Sequence, residues 1–255
     1  MFWSTPKLPL PEDQRAWVDE SLQWLLKEFG TKYFLERKII LPHISFFPDS
    51  YKGTRECVER VLNRVCGYMN VDPATVSIAL YNSDDRKPGH RDAPGESSFS
   101  GPVGLYLDHR EKSGKMVIAL NETQIGNATS LVATIAHELG HVILLGGGKI
   151  SGDRKDHELL TDLVTVFLGL GIFTANAAFQ FSQWQGNRMH GWSASRQGYM
   201  SEEMFAYSLA ACAWMRGETS PEWARYLSLN VGAHFKSAWR YFARFGSNSL
   251  PKLQP

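Results

Sequence analysis

Apolar residues recur at three- and four-residue spacing along several stretches of this chain, and each such stretch predicts a helix. Residues 12–29 carry Trp17, Leu22, Trp24, Leu25 and Phe29 on one side, open with Pro11-Glu12-Asp13 and stop at Gly30. Residues 54–69 place Val58, Val61, Leu62, Val65 and Met69 at the same spacing. Shorter apolar runs bounded by turn residues predict strands over 38–41, 75–81, 103–107 and 116–121, the last two joined by a charged turn at 108–115. Residues 82–100 are polar and rich in Gly, Pro, Asp and Ser, which predicts a long loop.

After residue 126 the pattern turns helical. The run from Ser130 to Leu145 is apolar and ends at Gly146-Gly147-Gly148. A charged, glycine-rich loop over 146–156 leads to what reads as one long apolar helix over 156–179. An aromatic, turn-rich segment fills 180–200, helices are predicted over 202–216, 222–229 and 231–245, and residues 251–255 read as a frayed end. The expected fold class is α+β, with a mixed α/β subdomain over 1–125 containing a small sheet and a mainly helical subdomain over 126–255.

Composition narrows the function without naming it. The chain has 255 residues, 43% apolar and 21% charged, an ordinary balance for a soluble globular protein with a sizeable core. A formal net charge of +1 gives no electrostatic footprint for nucleic acid or an anionic membrane. Cys57, Cys66 and Cys212 are odd in number and lack C-x-x-C spacing, which argues against a disulfide framework and predicts a cytoplasmic protein. The N-terminus has no signal-peptide pattern. Residues 159–179 approach the length of a membrane span, but Asp162 lies within them and Asp156-His157-Glu158 marks their start, so a buried helix and no stable membrane insertion are expected.

The candidate chemistry lies in His137-Glu138-Leu139-Gly140-His141. On a helix, four-residue spacing puts both imidazoles on one face, about 6 Å apart along the axis. Two imidazole nitrogens so placed can close on one Zn²⁺, with Glu138 beside them to move protons. A catalytic zinc needs a third protein ligand and an open position. Metzincin spacing would call for Gly at 144 and His at 147, where this chain has Leu144 and Gly147. Glu158 and Asp162 share one face of the next helix. The first can serve as ligand, and the second as the carboxylate that accepts the outer N–H of a ligating histidine. His157, Asp153 and Asp156 stay open as rival third ligands.

H-E-x-x-H, a loop, then E-x-x-x-D on a following helix resembles the gluzincin, thermolysin-like group of zinc metallopeptidases. The resemblance covers roughly residues 115–180. It implies a zincin-like fold, with His137, His141 and Glu158 as Zn²⁺ ligands, Glu138 as general base and Asp162 behind a histidine. It also implies that residues 116–121 form a sheet edge pairing with extended substrate. The expected activity is hydrolysis of a peptide or protein substrate by a zinc-activated water; the alternative is a non-catalytic or regulatory module that keeps zinc for stability. An oxyanion donor is sought among His190, Tyr199 and Tyr207, the first two in the irregular segment and preferred. Phe179, Phe181, Trp184 and Trp192 are candidates for an apolar substrate pocket. His43, His90, His109 and His234 lack a partner at ligand spacing and read as structural or surface residues.

Overall fold

Three helices open the chain. α1 (Glu12–Phe29) buries Val18, Leu22, Leu25 and Leu26 and carries acids in its first turn, where they complement the helix dipole. α2 (Thr31–Glu36) inserts Phe34, whose ring lies 4.8 Å from that of Phe167. α3 (Arg55–Met69) starts at Thr54, whose hydroxyl accepts the Cys57 N–H, and ends at Asn70 in the left-handed region. The computed structural model describes residues 8, 10–81, 104–110, 115–122, 125–186 and 200–253; of 104–110, 121 and 179–186 it describes the backbone alone. The predicted loop at 82–100 lies outside the described residues.

Among the described residues the sheet has three strands, β1 (Val76–Tyr81), β2 (Gly104–Arg110) and β3 (Met116–Asn121), in the order β1-β3-β2. β3 runs parallel to β1, with Val76 opposite Met116, and antiparallel to β2, with Gly104 opposite Leu120. This corrects the expectation that residues 116–121 form a sheet edge. β3 is hydrogen-bonded on both sides, which suits its four successive buried residues Val117, Ile118, Ala119 and Leu120. Residues 38–41 join no sheet among the described residues. Ile40 gives its N–H to the Gly169 carbonyl at 2.8 Å, so this extended run has a loop for its neighbour.

The second half is helical: α4 (Ala128–His141) with a π turn at Val142–Gly146, α5 (His157–Phe167), α6 (Gly171–Gly186), α7 (Glu202–Met215) and α8 (Leu229–Phe245). The single helix expected over 156–179 is two helices. Gly169 adopts φ +91°, its N–H bonds the Val166 carbonyl and the next N–H bonds Thr165, which closes α5 in a Schellman arrangement. A Cβ at 169 would collide with the Lys38 carbonyl oxygen, so the break also seats the 38–41 segment. Residues 222–226 form a 3₁₀ turn after Pro221 rather than part of a longer helix. The expected fraying is also corrected at Leu253, whose N–H bonds the Met215 carbonyl at 2.8 Å.

α4 is the central helix, with α3, α5 and α6 packed on it and Ala133, Ile135, Ala136 and Leu139 sealed from solvent. Residues 128–146 have the length and apolar character of a membrane span, and 67% of that stretch is buried inside the protein. α1 packs on α5 and α7, so one core runs from Leu10 to Leu250 through an α+β, mostly helical fold.

Candidate metal centre

Local sequence sets each part of the centre. Asn127 caps α4, its side-chain oxygen accepting the N–H groups of Thr129 (3.0 Å) and Ser130 (3.1 Å). One helical turn separates His137 from His141, and their rings stand 4.8 Å apart at 85°. Gly140 lies between them on the side facing α5. A Cβ there would sit 2.8 Å from Thr161 Cγ2 and 3.1 Å from the Thr161 carbonyl oxygen. The glycine therefore lets α5 approach until its first two turns reach the histidines.

The result is a convergence of three donors. Glu158 Oε2 lies 3.2 Å from His137 Nε2 and 3.4 Å from His141 Nε2. All three ligand atoms fall within 4.8 Å of one another, close enough to hold a metal ion. Donors bound tetrahedrally to one zinc lie roughly 3.3 Å apart, from metal–ligand distances of about 2.0–2.1 Å, and the two separations bracket that value. The histidines, Glu138 and Asp162 are buried, while the Glu158 side chain is 29% exposed and opens the cluster to solvent.

The outer ring nitrogens are also fixed. His137 Nδ1 lies 2.8 Å from Asp162 Oδ1, and a carboxylate accepts only, so Nδ1 carries hydrogen. The other Asp162 oxygen accepts the Met200 N–H at 2.8 Å. His141 Nδ1 lies 3.2 Å from the Thr161 hydroxyl, which donates its own hydrogen to the His157 carbonyl at 2.8 Å. Thr161 is thereby an acceptor for His141, and both rings turn Nε2 toward Glu158. Two ring lone pairs and a carboxylate oxygen at this distance repel unless a cation or a proton lies between them.

Burial disfavours charge on His137, but the Asp162, Glu158 and Glu138 carboxylates outweigh it and hold its imidazolium well above the usual range. Burial lowers His141, aided by the charge of His137. Burial would raise Glu158, yet the hydrogen bond from the His137 imidazolium, with His141 beside it, holds its carboxyl far below the usual range. In the metal-free protein the extra proton of His137 does what a metal ion would do more completely.

The rival ligands stand apart. Both Asp156 oxygens are engaged, by Arg154 at 2.6 and 3.0 Å and by the Trp17 indole N–H at 2.8 Å. Asp153 is exposed. His157 is near, its Nδ1 3.6 Å from Glu158 Oε1 and its ring 5.9 Å from that of His141, but it is not one of the three converging donors. Tyr207 is removed from the oxyanion candidates, because its hydroxyl donates to Asp19 on α1 at 3.0 Å inside the core. His190, Tyr199 and Trp192 lie outside the described residues, and the side chains of Phe179, Phe181 and Trp184 do so too.

Sequence reasoning missed Thr161 and Gly140. The signal for Thr161 was present, since 158, 161, 162 and 165 share one face of a helix. For Gly140 there was only its place between two histidines. Comparison of the chain with protein-family models, with curated proteins and with solved structures gives no significant match.

Proposed function

We propose that the chain is a zinc-dependent peptidase with a gluzincin-like, zincin-type site, acting on a peptide or protein substrate in the cytoplasm. The observation that carries this reading is the convergence of His137 Nε2, His141 Nε2 and Glu158 Oε2 at 3.2 and 3.4 Å, with each outer ring nitrogen fixed by its own partner. A two-nitrogen, one-oxygen set at tetrahedral spacing suits zinc and leaves a fourth position for water. When bound, zinc lowers the pKa of water towards about 7 and polarises a carbonyl.

The chain's own residues supply the rest. Glu138, buried beside the two ligands on the same helix, takes the proton of the attacking water and hands it to the departing amine nitrogen. Asp162 and Thr161 hold the imidazoles in the tautomer that offers Nε2. His190 and Tyr199 remain the proposed oxyanion donors. The near-neutral charge supports a peptide substrate over nucleic acid.

Metal analysis tests the centre: about one zinc per chain in the wild type and none in His137→Ala. Glu138→Gln tests the chemistry, since it keeps the metal and abolishes cleavage of a peptide library. Full cleavage by Glu138→Gln removes the general base. Stoichiometric zinc in a wild type that cleaves nothing leaves the non-catalytic binding module as the reading.

A further inference from the structure

A cavity of about 480 Å³ opens on the side of α4 away from the histidines. α4 contributes Ala128, Thr129 and Val132 to it. At 3.6 residues per turn Ala128 and Val132 lie roughly 140–180° around the axis from His137 and His141, while Thr129 lies roughly 80–120° around it and about 12 Å along it from His137. The cavity is therefore separate from the metal centre. Its size is that of a small-molecule site. Phe47, Phe173, Pro42, Pro48, Val61 and Val132 give it apolar walls, with the rings of Phe47 and Phe173 meeting edge to face at 5.5 Å.

The polar groups in this wall differ in how far they are satisfied. Arg64 is engaged by Asp49 at 2.6 Å. Arg60 bonds only the Cys57 sulfur, at 3.1 Å, among the described residues, and a thiol is a weak acceptor for a guanidinium. Its acidic neighbours on α3 do not line the cavity: Glu59 pairs with Arg55 at 3.2 Å, and Glu56, one turn before Arg60, feels its charge only from an exposed position. His43 is engaged through Nδ1, which lies 2.9 Å from the Ser45 hydroxyl and 3.2 Å from the Ser45 N–H. Hydrogen bonds from the Thr54 hydroxyl and the Lys52 backbone, with a smaller effect of the Arg60 charge, hold the Cys57 thiol below its ordinary range.

We propose that this chamber binds a small amphipathic monocarboxylic acid, its aromatic or branched aliphatic body among Phe47, Phe173, Val61 and Val132 and its carboxylate on Arg60. One available guanidinium matches one carboxylate in charge and in its paired-donor geometry. A phosphate dianion would be left half neutralised in a chamber with mostly apolar walls.

Calorimetric titration of the full chain with indole-3-propionate and with its primary amide tests this, each run with and without a chelator. The acid binds saturably, the amide at least about tenfold more weakly, and the chelator changes neither. Arg60→Gln, at an exposed position that leaves the core intact, abolishes the preference for the acid. Val61→Trp fills the chamber and blocks both probes. Absence of saturable binding, equal affinity for acid and amide, or a preference that survives Arg60→Gln overturns the proposal. Binding that disappears with the chelator also overturns it, since that places the probe at the metal.

Discussion

The Thr161 hydroxyl stands 3.2 Å from His141 Nδ1 and gives its only hydrogen to the His157 carbonyl 2.8 Å away. A neutral hydroxyl thus orients His141 where the Asp162 carboxylate orients His137. Thr161→Val keeps the shape of this fully buried side chain and removes the acceptor. Zinc affinity falls by roughly 10–100-fold, the effect of losing the partner of a ligating histidine. Thr161→Ser restores most of it. Competition titration against a chelator of known affinity reads both, and an unchanged affinity in Thr161→Val dismisses the hydroxyl from the centre.

Gly140→Ala drives a methyl group against the Thr161 side chain and backbone at 2.8 and 3.1 Å. The carbonyl cannot rotate away, so α5 must shift. Overpacking of this kind costs about 1–3 kcal/mol, which lowers the melting temperature. Retracting α5 also withdraws Glu158, so metal content falls as well. An alanine variant with wild-type melting temperature and full metal content would show that the helices are not in contact there.

The pH dependence follows from His137. Its imidazolium is held above the usual range in the metal-free protein, and a metal ion taken up at Nε2 would have to displace that proton. Zinc affinity therefore rises with pH until it passes the folded-state value of His137 and falls by up to about tenfold per unit below it. Stability of the metal-free protein runs the other way. The His137 contribution is complete below the unfolded imidazole value of about 6.5 and fades as pH rises through the raised folded value. His141 is shifted in the opposite sense and acts on the acid side, so it leaves the alkaline limb untouched. Melting temperatures across pH 6–10, roughly the span in which histidines and their shifted forms titrate, show this softening without metal and not with it.

Gly169→Ala is expected to be the more damaging glycine substitution. It combines φ +91° with a collision against the Lys38 carbonyl. The left-handed backbone alone costs of order 1–3 kcal/mol. The clash adds to it by breaking the Ile40 bond to Gly169. Chemical denaturation gives the loss directly, and a change within the error of the wild type contradicts the Schellman closure of α5.

The three converging donors were legible in the sequence because helical periodicity converts spacing into direction. His137 and His141 had to share a face, and Glu158 and Asp162 had to share another. What spacing could not give was how near the two helices lie, which depends on Gly140 and on no periodic feature. The long helix over 156–179 was misread for a related reason. Gly169 sits in an unbroken apolar stretch, and hydrophobicity alone does not distinguish a buried helix from two buried helices with a turn between them. Strand order was equally hidden. Residues 116–121 look alike in sequence whether paired on one side or on both.

Trp17 gives its indole N–H to Asp156, the residue just before α5, and Lys149 in the preceding loop reaches Glu28 at 3.4 Å on the same N-terminal helix. α1 contributes no donor to the cluster, yet it fastens the start of the helix that presents Glu158. The helical half that carries the cluster is thus not a portable unit. A fragment beginning at residue 126 would carry His137, His141 and Glu158 but lack the brace that aims the third of them. Adding α1 back as a separate peptide would be the way to restore metal uptake in trans.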